Sequence, residues 1–343
     1  MFETKKKKSD IRVPGGIRHY LSWARSKVSL GYKKWSSKRI AFVSVLIAIS
    51  VVFFLISVRI IPISALPSYK FSFIGLPVKI TGFIFGPIIG MLTGILADLI
   101  SFLLVPTYYH YLYTISISIA GFIPGLCGYY FFGLNEMLFS NKYKIFKFKE
   151  IVDFFKKQYS EATIKGNTED VQYFSECIAY YEVKIILLEN KAKPIAMINF
   201  AFFSALAVLT IQVFLIISIF IKLDPSYFEN NRFIKNKLFY IFATSSGFVG
   251  MGVFLILFRI FIKKRYQLFI DIMAIVTFSA ILEFLNVIIL SWADAATLKI
   301  DFWVNLANHS LTGPIKIFFN VVIITTTYRI VAPLLKSKEG DKF

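Results

Sequence analysis

The chain has 343 residues, 57% of them hydrophobic, a mean hydropathy of +0.66 and a formal net charge of +19. Long uncharged runs exclude a soluble globular enzyme, whose helices would each keep a polar face. The basic residues cluster beside apolar runs, with no basic-aromatic repeat or zinc-ligand spacing, and this excludes a nucleic-acid binder.

Residues 1–39 hold twelve Lys or Arg against Glu3 and Asp10. That basic head is too long for the n-region of a signal peptide, and the first apolar run lacks a small-residue cleavage site, so this run is expected to stay in the protein. Within the head, Ile17 to Trp35 mixes Arg and Lys with Trp23, Tyr32 and Trp35. The stretch reads either as an interfacial helix lying on the membrane surface or as a disordered basic tail. Eight membrane spans are expected, at about 40–60, 71–86, 87–105, 112–133, 195–222, 237–262, 267–292 and 313–335. Three uncharged runs anchor this reading: Ile40 to Val58, Ile195 to Ile221 and Leu238 to Phe258. About 20 apolar residues cross the hydrocarbon core as a helix. Alternating short segments would be needed for a barrel.

The apolar stretch 74–105 would be about 48 Å long as one helix, against a core of about 30 Å. Pro87 removes an amide and disfavours helix at Gly86. Two spans joined by a tight turn at Gly86-Pro87 are therefore expected, with one long kinked helix as the alternative. Gly82, Gly86, Gly90 and Gly94 recur every four residues and lead to Asp98. Such spacing lets another helix approach closely, so these glycines read as packing positions.

Residues 134–194 form a polar insertion in which Phe148 to Lys165 and Glu169 to Lys191 read as amphipathic helices. Gly166-Asn167 is the break and Thr168 the expected N-cap. The charge pattern places this insertion, the head, the cluster Lys263-Lys264-Arg265 and the tail 336–343 inside the cell. The loop 293–312, with Lys299, Asp294 and Asp301, falls outside. Loop 222–236 falls outside as well, although it carries Lys222, Arg232 and Lys235. Both termini are thus expected in the cytosol of a multi-pass plasma-membrane protein.

The expected domains are the head (1–39), helices one to four (40–133), the cytosolic helical insertion (134–194), two further spans (195–262), the last two spans (267–335) and the tail (336–343). Cys127 and Cys177 are expected in a span and in the cytosolic insertion, which argues against a disulfide, and they are too few for a metal site.

No catalytic signature is present: no P-loop, no His-Glu-x-x-His, no Gly-x-Ser-x-Gly. His19, His110 and His309 are scattered. No catalytic residue, metal site or cofactor bound by this chain is expected. What remains is a set of polar groups inside the spans. Lys79, Asp98, Glu283, Asn286 and Lys316 all fall at mid-depth or in the outer half, which suits a solute pocket open to the outside. Lys79 and Asp98 read equally as an ion pair between helices. Glu283 reads equally as a hydrogen-bond partner of a neighbouring span, and Lys316 as a snorkelling lysine. The aromatic run Ser101 to Tyr113, with Tyr109 and Tyr113, fits either a stacking surface for a flat ligand or an interfacial belt.

The segment Phe73-Ile-Gly-Leu-Pro77-Val-Lys-Ile-Thr-Gly82-Phe-Ile-Phe-Gly86-Pro87-Ile-Ile-Gly90, continuing to Gly94-Ile-Leu-Ala-Asp98-Leu, resembles the S components of energy-coupling factor (ECF) vitamin transporters, most closely their folate-type group. Tyr113-Thr-Ile-Ser-Ile-Ser-Ile-Ala-Gly121-Phe-Ile-Pro-Gly125-Leu resembles the span that follows in that group. Leu285-Asn286 and Gly313-Pro-Ile-Lys316-Ile carry a looser likeness over 267–335.

The resemblance implies an all-α fold with a six-helix core, to which this chain would add two transmembrane helices and a cytosolic helical hairpin. It implies a solute-binding subunit without its own ATPase site, docked on a transmembrane coupling subunit driven by two ABC-type ATPases that consume ATP. Docking in that family uses small residues on the first helix; Ala41, Ser44 and Ala48 stand at the matching places. The folate-type group usually carries an Arg before the final span, where this chain has Asn308-His309-Ser310. An anionic tail would then need Lys79, Lys316 or His309, and folate is the leading substrate. The competing expectation is an ion-coupled secondary transporter using Asp98 or Glu283 for protons, whose signature would be inverted repeats.

Overall fold

The computed structural model describes residues 37–60, 67–106, 110–139, 141–190, 195–226, 236–261, 266–299 and 301–336. The basic stretch Ile17 to Trp35, Tyr109 and nearly all of the tail lie outside them. Among the described residues the chain is almost wholly helical, without a strand. Seven helices are long and apolar enough to cross a membrane. Two compact units result. One contains the polar insertion (Gly133–Met197) and the other the membrane-type helices.

In the larger unit, α1 (Ser37–Ile60), α2 (Pro67–Phe85), α3 (Pro87–Leu104) and α4 (Tyr111–Gly128) pack on one another. α4 runs on through a π-helical turn, Tyr129–Leu134, into the short α5 (Asn135–Phe139). α2 and α3 are separate helices, joined through Gly86 alone. Its φ of 101° is accessible to glycine at little cost. The turn keeps its hydrogen bonds: Gly86 N–H donates to Gly82 O at 2.9 Å, and Gly90 N–H to Gly86 O at 3.0 Å. α2 is the one membrane-type helix outside the seven. Its apolar stretch, Gly75–Phe85, is short and contains Lys79.

Glycines set the distance between these helices. A Cβ on Gly82 would collide with the carbonyl of Gly121, one on Gly90 with Gly121 and Gly82, and one on Gly94 with the Ile117 backbone. Gly125 faces Pro87 in the same way. The receiving residues Gly121 and Gly125, on α4, are as tightly held as the four-residue ladder on α2 and α3.

α10 (Tyr266–Leu298) and α11 (Phe302–Lys336) form a long antiparallel pair against α4 and α2. Here the structure corrects the expected boundaries. The stretch 293–312 is not an outer loop: α10 extends to Leu298 and α11 begins at Phe302. No glycine or proline interrupts 293–312. The turn is confined to 299–301, where Lys299 takes a φ of 56° and Asp301 Oδ1 caps the amides of Trp303 (2.8 Å) and Val304 (3.3 Å). Asn308 and His309 therefore sit on a helix. Pro314, expected to open the last span, lies inside α11, with Gly247 making room for its ring.

α8 (Ile195–Lys222) and α9 (Lys237–Phe261) run antiparallel, tied by Asn199–Arg259 at one end and Phe220–Tyr240 at the other. α9 packs on α11 and α10.

The polar insertion forms a hairpin of α6 (Lys142–Ile164) and α7 (Thr168–Asn190). Ile151, Val152 and Phe155 are buried between the helices, while Lys149–Glu189 (3.4 Å) and Lys156–Glu182 (2.9 Å) bridge the exposed edge. Gly166 turns the chain with a φ of 69°. The cap is one residue earlier than expected. Asn167 Oδ1 accepts from the Asp170 amide at 3.3 Å, and Thr168 is already helical. Asn fills that role well because its short side chain reaches the first free amides.

Candidate functional site

Among the buried polar groups of the larger unit, those of α2, α3, α4, α10 and α11 include three sets along the bundle. The first is charged. Lys79, on α2, is buried and donates to Asn320 Oδ1 of α11 at 3.2 Å. Lys316, one turn before Asn320, lies 3.5 Å from Glu283 Oε1 of α10. Glu283 and Lys316 are both close enough to act electrostatically on Lys79. Glu283 is 5% exposed, and its Oε1 has no hydrogen bond beyond that ion pair. Gly313 leaves room for its side chain: a Cβ there would stand 3.3 Å from Glu283 Cγ. With all three groups ionised the set carries one net positive charge.

The second set lies about one turn further along α10, where Ser116 of α4 donates to Asn286 Oδ1 at 3.0 Å. On α3, Asp98 Oδ2 accepts from Thr114 of α4 at 2.5 Å. Lys79 and Asp98 thus have different partners, and the expected ion pair between them is not formed.

The third set joins α4, α10 and α11. Tyr113 Oη donates to Asp294 Oδ1 at 2.6 Å, and His309 Nε2 lies 2.8 Å from Asp294 Oδ2. All three residues are buried. Asp294 lies eleven residues beyond Glu283 on α10, about 16 Å along the axis.

No family model, curated protein or solved structure matches this chain.

The functional reading therefore rests on the residues themselves. The fold brings Lys79, Glu283 and Lys316 to one level and links Tyr113 to His309. Asn286 and Asp98 sit on separate contacts. Asn320, Ser116, Thr114 and Asp294 were missed from sequence. Asn320 stands one helical turn from Lys316 and Ser116 one turn from Tyr113, the available signal for two of them. Asp294 was hidden by the assumption of a loop.

Glu283 also faces a cavity of about 30 Å³ between α8, α9, α10 and α11, with Thr244, Phe248, Ser310 and Gly313 in its wall. Drug-sized ligands occupy clefts of about 300–1,000 Å³. A ligand of that size would therefore enter only if the helices part. A larger concavity, about 440 Å³, lies at the hairpin tip beside Gly166. It is lined by surface residues such as Thr163 and Glu176 and gathers no buried charge. The interior carries the chemistry: lysines and an amide that can hold an anion, and a carboxylate that can accept from a ligand N–H.

Proposed function

We propose that this chain is the substrate-binding S component of an ECF-type vitamin importer, with folate as its leading ligand. The observation that carries the reading is the charged level on three helices of a chain without a catalytic motif, where Lys79, Glu283 and Asn320 are buried and Lys316 is half-buried. Ionisable groups kept at such depth are costly, and solute recognition is a common reason for keeping them. In this reading α2 is the eighth span and α1–α4, α10 and α11 form the six-helix core. α8 and α9 are additions, and both termini and the hairpin face the cytosol. A coupling subunit and two ATPases supply the energy.

Binding is tested by titrating folate, riboflavin, thiamin, niacin and pantothenate into the purified chain in a calorimeter. Folate is expected to give saturable heat, and Lys79→Ala to weaken it at least tenfold, about 1.4 kcal/mol. Absence of binding by every vitamin, or unchanged affinity in Lys79→Ala, would overturn the reading.

The coupling partner meets α1. Ala41, Ser44 and Ala48 lie on its exposed face, while Val43, Leu46 and Phe54 are buried. Small residues there let a partner helix approach closely. Ser44→Leu and Ala48→Leu are expected to abolish co-purification of the coupling subunit and ATPases while leaving vitamin affinity within twofold. Unimpaired assembly would remove α1 as the docking face.

A further inference from the structure

We propose that Tyr113, Asp294 and His309 form a proton-binding latch that shuts the end of the bundle where α3 leads to α4 and α10 to α11. The latch follows from geometry alone; only its service as the gate for a solute rests on the transport reading.

Asp294 is 1% exposed, Tyr113 2% and His309 4%, so water contributes little to their solvation. Each carboxylate oxygen faces a different helix: Oδ1 takes the hydroxyl of α4, and Oδ2 faces the imidazole of α11. Leu112, Leu290 and Ala293 pack around Tyr113 and keep the contact dry. One acid therefore ties three helices together.

Proton counting sets the behaviour. With one proton beyond neutral imidazole and carboxylate, the His309–Asp294 pair has no net charge, whether that proton sits on Nε2 or on Oδ2. Removing it leaves an uncompensated carboxylate in an apolar setting. Adding another leaves an imidazolium beside a neutral acid. Both states carry a buried net charge, which is costly. The latch is therefore tightest in the pH window where the pair holds one shared proton, and it loosens on either side. The other titratable groups facing it are His110, whose ring stands 6.4 Å from that of Tyr113, and Tyr240 of α9, 3.4 Å from Ser310 beside His309. On α3, Asp98 lies against Thr114, the next residue to Tyr113.

Opening the latch frees α4 from α10 and uncovers the Ser116–Asn286 contact three residues along. Ser116 is 3% exposed when the latch is closed. The test places a cysteine there (Ser116→Cys) in the full chain carrying Cys127→Ala and Cys177→Ser. Its modification by a charged, membrane-impermeant methanethiosulfonate is followed in proteoliposomes from pH 5 to 9. Rates are normalised to Asn308→Cys, at an exposed position near the same end.

The parent is expected to react slowest at one intermediate pH and about tenfold faster on either side of it, a change of 1.4 kcal/mol in the closed state. Asp294→Asn pairs without net charge while His309 is neutral and gains a buried charge only when His309 is protonated, so it is expected to be slow at the alkaline limit and faster at the acid one. His309→Gln leaves Asp294 beside a neutral amide, so the pair is uncharged only while Asp294 is protonated; this variant is expected to be slow at the acid limit and to quicken steadily as pH rises, without the acid-side acceleration of the parent. A parent rate independent of pH, or a parent-like profile in His309→Gln, would overturn the latch, provided each variant elutes as a single species. The readout needs neither vitamin nor partner. A chain that binds no vitamin would sink the transport reading and leave this result standing.

Discussion

Gly121→Ala should unfold or misassemble the α2–α3–α4 core, with a loss above about 4 kcal/mol, beyond the usual range for one substitution. The added methyl would collide with the carbonyl oxygen and carbon of Gly90, and the backbone behind Gly121 already meets Gly82. No flexible side-chain end stands in the way to yield. Three helices would have to separate, and with them the close approach that places Lys79 on α2 opposite Asn320. Gly250→Ala is the control. Nothing lies within 4 Å of a Cβ there, so this change should be neutral or gain up to about 1 kcal/mol from helix propensity. In a Cys177→Ser background, Cys127, buried on α4, supplies the readout, because a thiol-reactive dye then labels the chain only on unfolding. A midpoint within a few degrees of wild type for Gly121→Ala would show that the glycine contacts do not hold the helices together.

The α2–α3 break was legible because its cause is local: the clash at Pro87 and the freedom of Gly86 act within a few residues. The spans at 40–60, 195–222 and 237–262 were legible from their uncharged runs for the same reason. The α10–α11 junction was not. Its signal is an absence of breakers across 293–312, whereas the charged residues there read locally as a loop. In the fold, the carboxyl of Asp294 instead finds its partners 181 and 15 positions away, in the Tyr113 hydroxyl and the His309 ring. Hydropathy can place a buried group at a depth but cannot name its partner, because the partner is chosen by packing between helices distant in sequence. Lys79 and Asp98 make the point: depth alone allowed them to pair, whereas helix rotation gave Lys79 to Asn320 and Asp98 to Thr114.

Glu283→Gln should lose about 3–5 kcal/mol of stability, the range for breaking a buried ion pair from one side. The Glu283 carboxylate is the acid that faces both lysines. Without its charge Lys79 and Lys316 remain as two cations within electrostatic reach. Lys316→Met should cost less, because Lys79 still lies near enough to balance Glu283. The double variant Glu283→Gln/Lys316→Met then holds one cation, Lys79, against Asn320, and should be more stable than Glu283→Gln alone. That inversion follows from charge counting and has no counterpart in simple packing loss, where a second truncation only adds to the first. Thermal midpoints of the four proteins in one detergent measure it, with shifts per kcal/mol at or below the roughly 2–4 °C typical of domains of about 150–250 residues. Strictly additive midpoints would mean that the three charges act independently, and a single anion-binding level on α2, α10 and α11 would no longer be tenable.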